Sequence, residues 1–195
     1  MGRGFSDPKG FRELVREAKQ EGCDFIKLMV SGIVTFRRYG ELSCPSLPAE
    51  ELRELIGIAH DEGFAIMIHV NGNDAVRACI EAGAESIEHG NFMEEETLSL
   101  LAGSKTIWVP TVAAIEAFDG RTGFDPAVTR ETLDRLIEAV RKAASLGACI
   151  ASGSDSGAVG VPHGAGILRE LELLREAGLT REQIEAGNQR IQEVF

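Results

Sequence analysis

Short hydrophobic runs alternate along the chain with segments of helical periodicity. Leu52, Leu55, Ile56 and Ala59 repeat on one helical face, for example, and the apolar run 64–70 follows them. Strands that alternate with helices pair in parallel, because each crossover helix returns the chain to the same end of the sheet. The pattern therefore predicts the α/β class.

The same pattern predicts the individual elements. The first helix has a cap at Ser6-Asp7-Pro8 and ends at Gly22, and the second begins at Pro48 and ends at Gly63. Further helices are expected at 73–82, 94–101, around 133–144, 167–176 and 181–191, and strands at 25–31, 64–70, 86–89, 106–111 and 148–155. These strands fit an open parallel sheet or part of a (β/α) barrel. The chain has no GxGxxG or GxxxxGK[ST] motif, which disfavours a nucleotide-binding fold.

Four polar residues stand out because each lies at or near the end of a predicted strand, among apolar or small neighbours. They are Lys27, His69, His89 and Asp155. Active sites of barrels form at the carboxyl ends of the strands, and imidazole is the commonest metal ligand. A lone histidine can equally be a hydrogen-bonded core residue, and Asp155 can cap a turn. Two histidines at equivalent strand ends nevertheless favour a metal site.

Lys27 is the hardest of the four to explain, since an unpaired ammonium is costly to bury in an apolar run. The side chain should extend to the surface, find a partner or lose its proton. A neutral lysine can form a Schiff base with a carbonyl substrate or take up carbon dioxide as a carbamate that binds metal ions. The two histidines and the aspartate favour the carbamate, because a Schiff-base enzyme does not need them.

With these residues the chain resembles the amidohydrolase superfamily, in the branch of imidazolonepropionase-like proteins and metal-dependent prolidases. The resemblance runs from about Gly22 to Ile191. It rests on the ordered segments IKLMVSG, AHDEGFAIMIHV, AGAESIEHGNFMEEET, VPT, SGSDSG and VPHGAGILRELELL. It implies a single partial (β/α)8 barrel domain over 1–195, with about five βα units that correspond to strands four to eight. By the same resemblance, we expect this domain to lack the first strands and the β-sandwich of the family.

The resemblance also implies a metal centre and a reaction. Lys27 would be a carboxylated bridging ligand, His69 and His89 would bind the second metal, and Asp155 would bind the first metal and shuttle a proton. The cofactor would be zinc or another divalent metal, as one or two ions. The implied activity is metal-dependent hydrolysis of amide, peptide or cyclic-amide C–N bonds. The family's His-x-His pair, which holds the first metal, has no counterpart in this chain.

Because of that gap, we expect the barrel to be completed by a second copy in a homo-oligomer or by the missing barrel part. Two other functions stay open. The chain can be a non-catalytic truncated barrel or assembly module, or a Schiff-base lyase that uses Lys27.

Residues that could bind a small-molecule or peptide-like substrate follow the predicted strands. Arg37, Arg38 and Tyr39 lie in the loop after the Lys27 strand, where an arginine could bind a carboxylate. Val70-Asn71 follows His69, where prolidase-like relatives often have a tyrosine, and this difference disfavours a dipeptide substrate. His163 follows the Asp155 loop and could line the same pocket.

Composition narrows the range of partners. The chain has 195 residues, 44% of them hydrophobic, so it can bury a sizeable core, and its net charge of -11 disfavours nucleic acid and anionic membranes. The four cysteines have no CxxC spacing and are expected to be reduced core thiols. No run of residues predicts a membrane span or a signal peptide, so we expect a soluble, cytoplasmic protein.

Overall fold

The structure is a computed structural model that describes residues 2–195. Its strands are β1 (Ile26–Met29), β2 (Ile66–Val70), β3 (Ser86–His89) and β4 (Ile107–Val109). Its helices are α1 (Pro8–Gln20), α2 (Ala49–Asp61), α3 (Asn73–Glu81), α4 (Glu95–Ala102), α5 (Val112–Glu116), α6 (Pro126–Ser145), α7 (Ala165–Glu176) and α8 (Arg181–Val194). The strands form one parallel sheet in the order β1-β2-β3-β4, so the predicted α/β class is confirmed.

The two faces of the sheet have different surroundings because side chains alternate along each strand. Ile66, Ile68 and Val70 of β2 are fully buried in the main hydrophobic core, which the sheet shares with the helices. Met67 and His69 therefore point to the opposite face, which in a barrel is the interior. The register places His69 beside Met29 on one side and Glu88 on the other.

The predicted fifth strand, 148–155, is not formed as a strand. Only Ile150 makes a parallel bridge, to Trp108 of β4, through the hydrogen bonds Trp108 N to Cys149 O and Ala151 N to Trp108 O, each 2.9 Å. Beyond it, the backbone N–H of Ser152 donates to a side chain of α8 rather than to a strand. The segment is therefore joined to β4 by one bridge and, directly after it, to helix α8.

Helix α8 covers the other edge of that segment. The Oδ1 atom of Asn188 accepts the Ser152 N–H at 2.8 Å, and a Cβ atom at Gly187 would lie 1.9 Å from the carbonyl oxygen of Ile150. Ile191 and Val194 pack against a second, smaller apolar cluster of Ile107, Val109 and Ala151. The helix thus takes the place of a further strand along the 149–152 segment.

Two remaining expectations can be compared with the described residues. All four cysteines are free, but only Cys79 is buried, while Cys23 and Cys44 are exposed, so the prediction of core thiols is wrong for those two. None of the helices within residues 2–195 combines the length and the hydropathy that crossing a bilayer requires.

Candidate metal centre

Of the four polar residues predicted at strand ends, His69, His89 and Asp155 lie at the carboxyl end of the sheet, whereas Lys27 is the second residue of β1 and is level with Met67 rather than with His69. His69 is the penultimate residue of β2, His89 is the last residue of β3, and Asp155 follows the segment that bridges to β4. The carboxyl ends of parallel strands meet at one edge, where barrel active sites form. The charges of both Lys27 and Asp155 act on the pKa of His69, which places these groups in one electrostatic environment.

His69 and His89 form a pair, with ring centroids 4.5 Å apart and ring planes at 68°. His69 is 8% exposed, and its Nε2 atom is buried without a hydrogen-bond partner among the residues that the structure describes. Burial is the largest cause of its lowered pKa, to which the Lys27 ammonium also contributes, while Asp155 opposes it. A neutral imidazole with an unpaired nitrogen can donate its lone pair to a cation.

The tautomer of His89 follows from its hydrogen bond to Thr111. The hydroxyl of Thr111 donates to the carbonyl oxygen of Pro110 at 2.8 Å, and it lies 2.8 Å from Nδ1 of His89. Because a hydroxyl has one proton, we assign that proton to the contact with Pro110 and therefore place the imidazole hydrogen on Nδ1 of His89. The Nε2 atom of His89 then keeps its lone pair. Burial, followed by His69 and Lys27, lowers the pKa of His89 to about 3.

The backbone around this pair is strained. His89, Thr111 and Asp155 have φ values of 68°, 50° and 53°, a left-handed conformation that costs non-glycine residues on the order of 1–3 kcal/mol each. Gly90 is also left-handed, and a Cβ atom there would lie 2.7 Å from Nε1 of Trp108, which donates to the carbonyl oxygen of His89. Such strain occurs preferentially at functional sites, and here it is found at the end of β3, after β4 and after the segment that bridges to β4.

Lys27 forms an ion pair with Glu88, a residue that the sequence analysis did not predict for the site. The Lys27 ammonium forms an ion pair with Glu88, whose side chain is 10% exposed, and Ser86 Oγ donates to the other carboxylate oxygen at 2.7 Å. Burial raises the pKa of Glu88, whereas Lys27 and Ser86 lower it. The alternation Ser86-Ile87-Glu88 could have revealed it, because it places a carboxylate on the same sheet face as Lys27.

The predicted four-residue metal centre is not assembled as a cluster. Within residues 2–195, no group of three or more His, Cys, Asp and Glu side chains is placed to hold a metal ion. The residues do fit a metal in one respect, since Nε2 of His69 is a buried polar atom with no partner and Nε2 of His89 keeps its lone pair. The ligand set of Lys27, His69, His89 and Asp155 stays a prediction.

Asn71, a predicted substrate residue, holds three loops together. Its Nδ2 donates to the Gly32 carbonyl at 3.2 Å, and its backbone N–H donates to Ser31 Oγ at 2.8 Å. Its Oδ1 accepts from the backbone N–H and from Nδ2 of Asn91, at 3.1 and 2.8 Å. The loops after β1, β2 and β3 are therefore joined through one buried amide, and contact of Asn71 with substrate stays a prediction.

The other predicted substrate residues lie on the surface of the loops. Arg37 and Arg38 are exposed, and the Arg37 guanidinium lies 3.5 Å from the Glu41 carboxylate. His163 is exposed as well, and its ring lies over Gly157 in the loop after Asp155. Their role in substrate binding stays a prediction.

Tyr39 is held against another loop. Its ring packs edge-on against Phe92 at 5.1 Å, and the Arg135 guanidinium lies 5.9 Å from its centre. Burial raises the pKa of Tyr39. These contacts join the loop after β1 to the loop after β3, and substrate binding by Tyr39 also stays a prediction.

Comparison with known proteins identifies the family. The sequence model of the amidohydrolase family matches residues 5–189, nearly the whole chain. This chain belongs to the amidohydrolase family. An uncharacterized protein of Mycobacterium tuberculosis is 31% identical to this amidohydrolase over 172 residues, which are 85% of this chain and 45% of that protein. The ochratoxinase of Aspergillus niger is 29% identical over 150 residues, which are 74% of this chain and 31% of the enzyme.

Solved structures agree with this assignment. A Xaa-Pro dipeptidase superimposes with a TM-score of 0.79 at 27% identity, covering 97% of this chain and 48% of its own. The A. niger ochratoxinase superimposes with a TM-score of 0.76 at 29% identity, covering 93% of this chain and 42% of the enzyme. The predicted partial (β/α)8 barrel is thus confirmed. The amidohydrolase chain spans less than half the length of these relatives.

Proposed function

We propose that this chain provides part of the active site of a metal-dependent hydrolase that cleaves amide, peptide or cyclic-amide C–N bonds. The observation that carries the proposal is the pair His69 and His89, two imidazoles in contact at adjacent strand ends. Nε2 of His69 is buried without a hydrogen-bond partner among the described residues, and Nε2 of His89 keeps its lone pair in the tautomer assigned from the Thr111 contact. Membership of the amidohydrolase family and the presence of two named hydrolases among its relatives support it.

His69, His89, Lys27 and Asp155 would hold zinc or another divalent cation. When bound, the cation would polarise the scissile carbonyl as a Lewis acid. Asp155 lies exposed at the strand ends, so its carboxylate can accept a proton from water and pass it to the leaving nitrogen. Arg37 and Arg38 could bind a substrate carboxylate, because their guanidinium groups are exposed in the loop after β1.

A carbamate on Lys27 would change the ion pair with Glu88. The ammonium would add carbon dioxide and release two protons, of which Glu88 would take up one, so that it stays in contact with the carbamate, and solvent would take the other. Burial raises the pKa of this carboxyl group and so favours the protonated form. A protonated Glu88 would leave no unpaired charge beside a carboxylated Lys27.

Metal binding by the purified chain tests the proposal. We expect Zn²⁺ or Co²⁺ to bind the parent protein and the affinity to fall by more than about 100-fold in His69→Ala and His89→Ala, since loss of an outer-shell partner alone costs about 10–100-fold. His60→Ala is the matched control, because His60 lies on α2 beside Glu85. Equal affinity in all four proteins would contradict the proposal.

Turnover separates the proposal from its alternatives. Hydrolysis of N-acyl amino acids or peptides by a complete barrel, lost in Asp155→Asn, would support it. Metal binding without hydrolysis in such a barrel would favour the non-catalytic assembly module. Covalent trapping of a carbonyl compound on Lys27 by borohydride would favour the lyase.

A further inference from the structure

Glu170 is a buried carboxyl group that the proposed chemistry does not use. It lies on α7 with no exposed surface. Its Oε2 atom accepts the backbone N–H of Ala113 at 2.7 Å, and its Oε1 atom is buried without a hydrogen-bond partner in the part of the chain that the structure describes. A carboxyl group in such a position needs a reason, because isolating one from water is costly.

The bond from Glu170 reaches the start of α5, a helix that sequence periodicity did not predict. The N–H groups of Val112 and Ala113 both act on the Glu170 carboxyl group. They belong to the two residues directly after Thr111, the residue that precedes the helix. Glu170 thus supplies an acceptor for backbone groups that the helix itself cannot satisfy.

The backbone conformation of Thr111 is unfavourable for its residue type, so contacts from neighbouring elements must stabilise it. It is β-branched and has a φ value of 50°, a left-handed conformation that such residues adopt only where their surroundings impose it. Its hydroxyl is the group that accepts the Nδ1 hydrogen of His89. A second pair, between Arg169 of α7 and Glu116 at the end of α5, fixes the far end of the same helix at 2.7 and 2.8 Å.

We propose that Glu170 is a positioning residue for the metal centre: through the start of α5 and the Thr111 hydroxyl, it holds His89 in the tautomer that leaves Nε2 free to bind a cation. This inference rests on the proposed role of His89 as a metal ligand. An outer-shell partner that fixes the tautomer of a ligating histidine usually contacts it directly. Here the link from Glu170 to His89 passes through the backbone of α5 and one side chain.

The tautomer can be observed without metal. In the ¹⁵N-histidine-labelled, metal-free chain, the nitrogen shifts of His89 should show one form, with hydrogen on Nδ1. Glu170→Gln should preserve it, because an amide oxygen can still accept from Ala113. Glu170→Met, which has similar volume but no comparable acceptor, and Thr111→Val should both produce a mixture with the Nε2–H form. Glu116→Gln, which weakens the pair with Arg169 at the far end of α5 and keeps the Glu170–Ala113 bond, should leave the shifts unchanged.

Metal affinity provides the second measurement. We expect Co²⁺ to bind about 10–100-fold more weakly to Glu170→Met than to the parent, and Glu170→Gln to restore most of that loss. An unchanged His89 tautomer in folded Glu170→Met would overturn the inference. Should that variant not fold, an unchanged tautomer in Thr111→Val would do so.

The two hypotheses fail in different ways. If the parent binds no Co²⁺ through His69 and His89, the proposed function fails, and the nitrogen shifts of the metal-free variants still decide whether Glu170 positions His89. If the parent binds Co²⁺ and Glu170→Met binds it equally well, the positioning role fails and the proposed function stands.

Discussion

Replacing Glu170 by glutamine should change how the stability of the chain depends on pH. Burial raises the pKa of this carboxyl group from its ordinary value of 4.5 to about 7, against the opposing effect of the Ala113 and Val112 N–H groups. A shift of one pKa unit changes the free energy of unfolding by up to about 1.4 kcal/mol, so this difference in pKa corresponds to about 3 kcal/mol. Glutamine keeps an acceptor for the Ala113 N–H but does not titrate.

The sign follows from proton binding in the two states. Between about pH 4.5 and about pH 7 the folded protein holds the Glu170 proton and the unfolded chain releases it. The free energy of unfolding therefore falls as pH rises, because the unfolded state binds fewer protons. The stabilisation is complete below pH 4.5 and is lost as pH rises through the folded pKa. As pH rises across this window, the free energy of unfolding of Glu170→Gln should therefore increase relative to that of the parent by up to about 3 kcal/mol.

Urea unfolding at a series of pH values measures this difference. Trp108 is the only tryptophan and is fully buried, so its fluorescence reports unfolding. Titration of His69, His89 and Glu88 occurs in both proteins and largely cancels in the comparison. Glu172→Gln is the matched control, since Glu172 is on the same helix with a side chain 59% exposed, and its curve should run parallel to the parent's. A parallel curve for Glu170→Gln would refute the reasoning.

Two further predictions concern the edges of the partial barrel. Gly187→Ala should lower the free energy of unfolding by about 1–3 kcal/mol in urea, because its Cβ would overlap the Ile150 carbonyl. The control is Gly57→Ala, which has open space in helix α2 and should be neutral or stabilising by up to about 1 kcal/mol. Equal effects of the two substitutions would show that α8 does not pack on this edge. We also propose that another copy or another polypeptide packs against the free edge of β1, where Met29 is 66% exposed. A stable monomer in light scattering at high protein concentration would argue against self-association.

Local signals in the sequence were sufficient for most of the fold. The Asp7-Pro8 cap starts α1, and the apolar alternation places β3 at Ser86–His89, because caps, glycines and periodicity act within a few residues. The same signals predicted a strand at 148–155, where only one bridge forms. Whether an apolar run becomes a strand depends on the partners available to its backbone, and those come from distant parts of the chain.

The candidate site divides in the same way. The sequence by itself determined that His69, His89 and Asp155 lie at the carboxyl edge of the sheet, because parallel βα units place equivalent positions at one edge, whereas Lys27 lies two positions before the end of β1. Only the tertiary structure decided that Lys27 pairs with Glu88, that Nδ1 of His89 meets the Thr111 hydroxyl, and that Glu170 accepts the Ala113 N–H. Lys27 and Glu88 are 61 positions apart, and Ala113 and Glu170 are 57 apart. Such contacts depend on which helix packs over which strand end, and no local pattern encodes that.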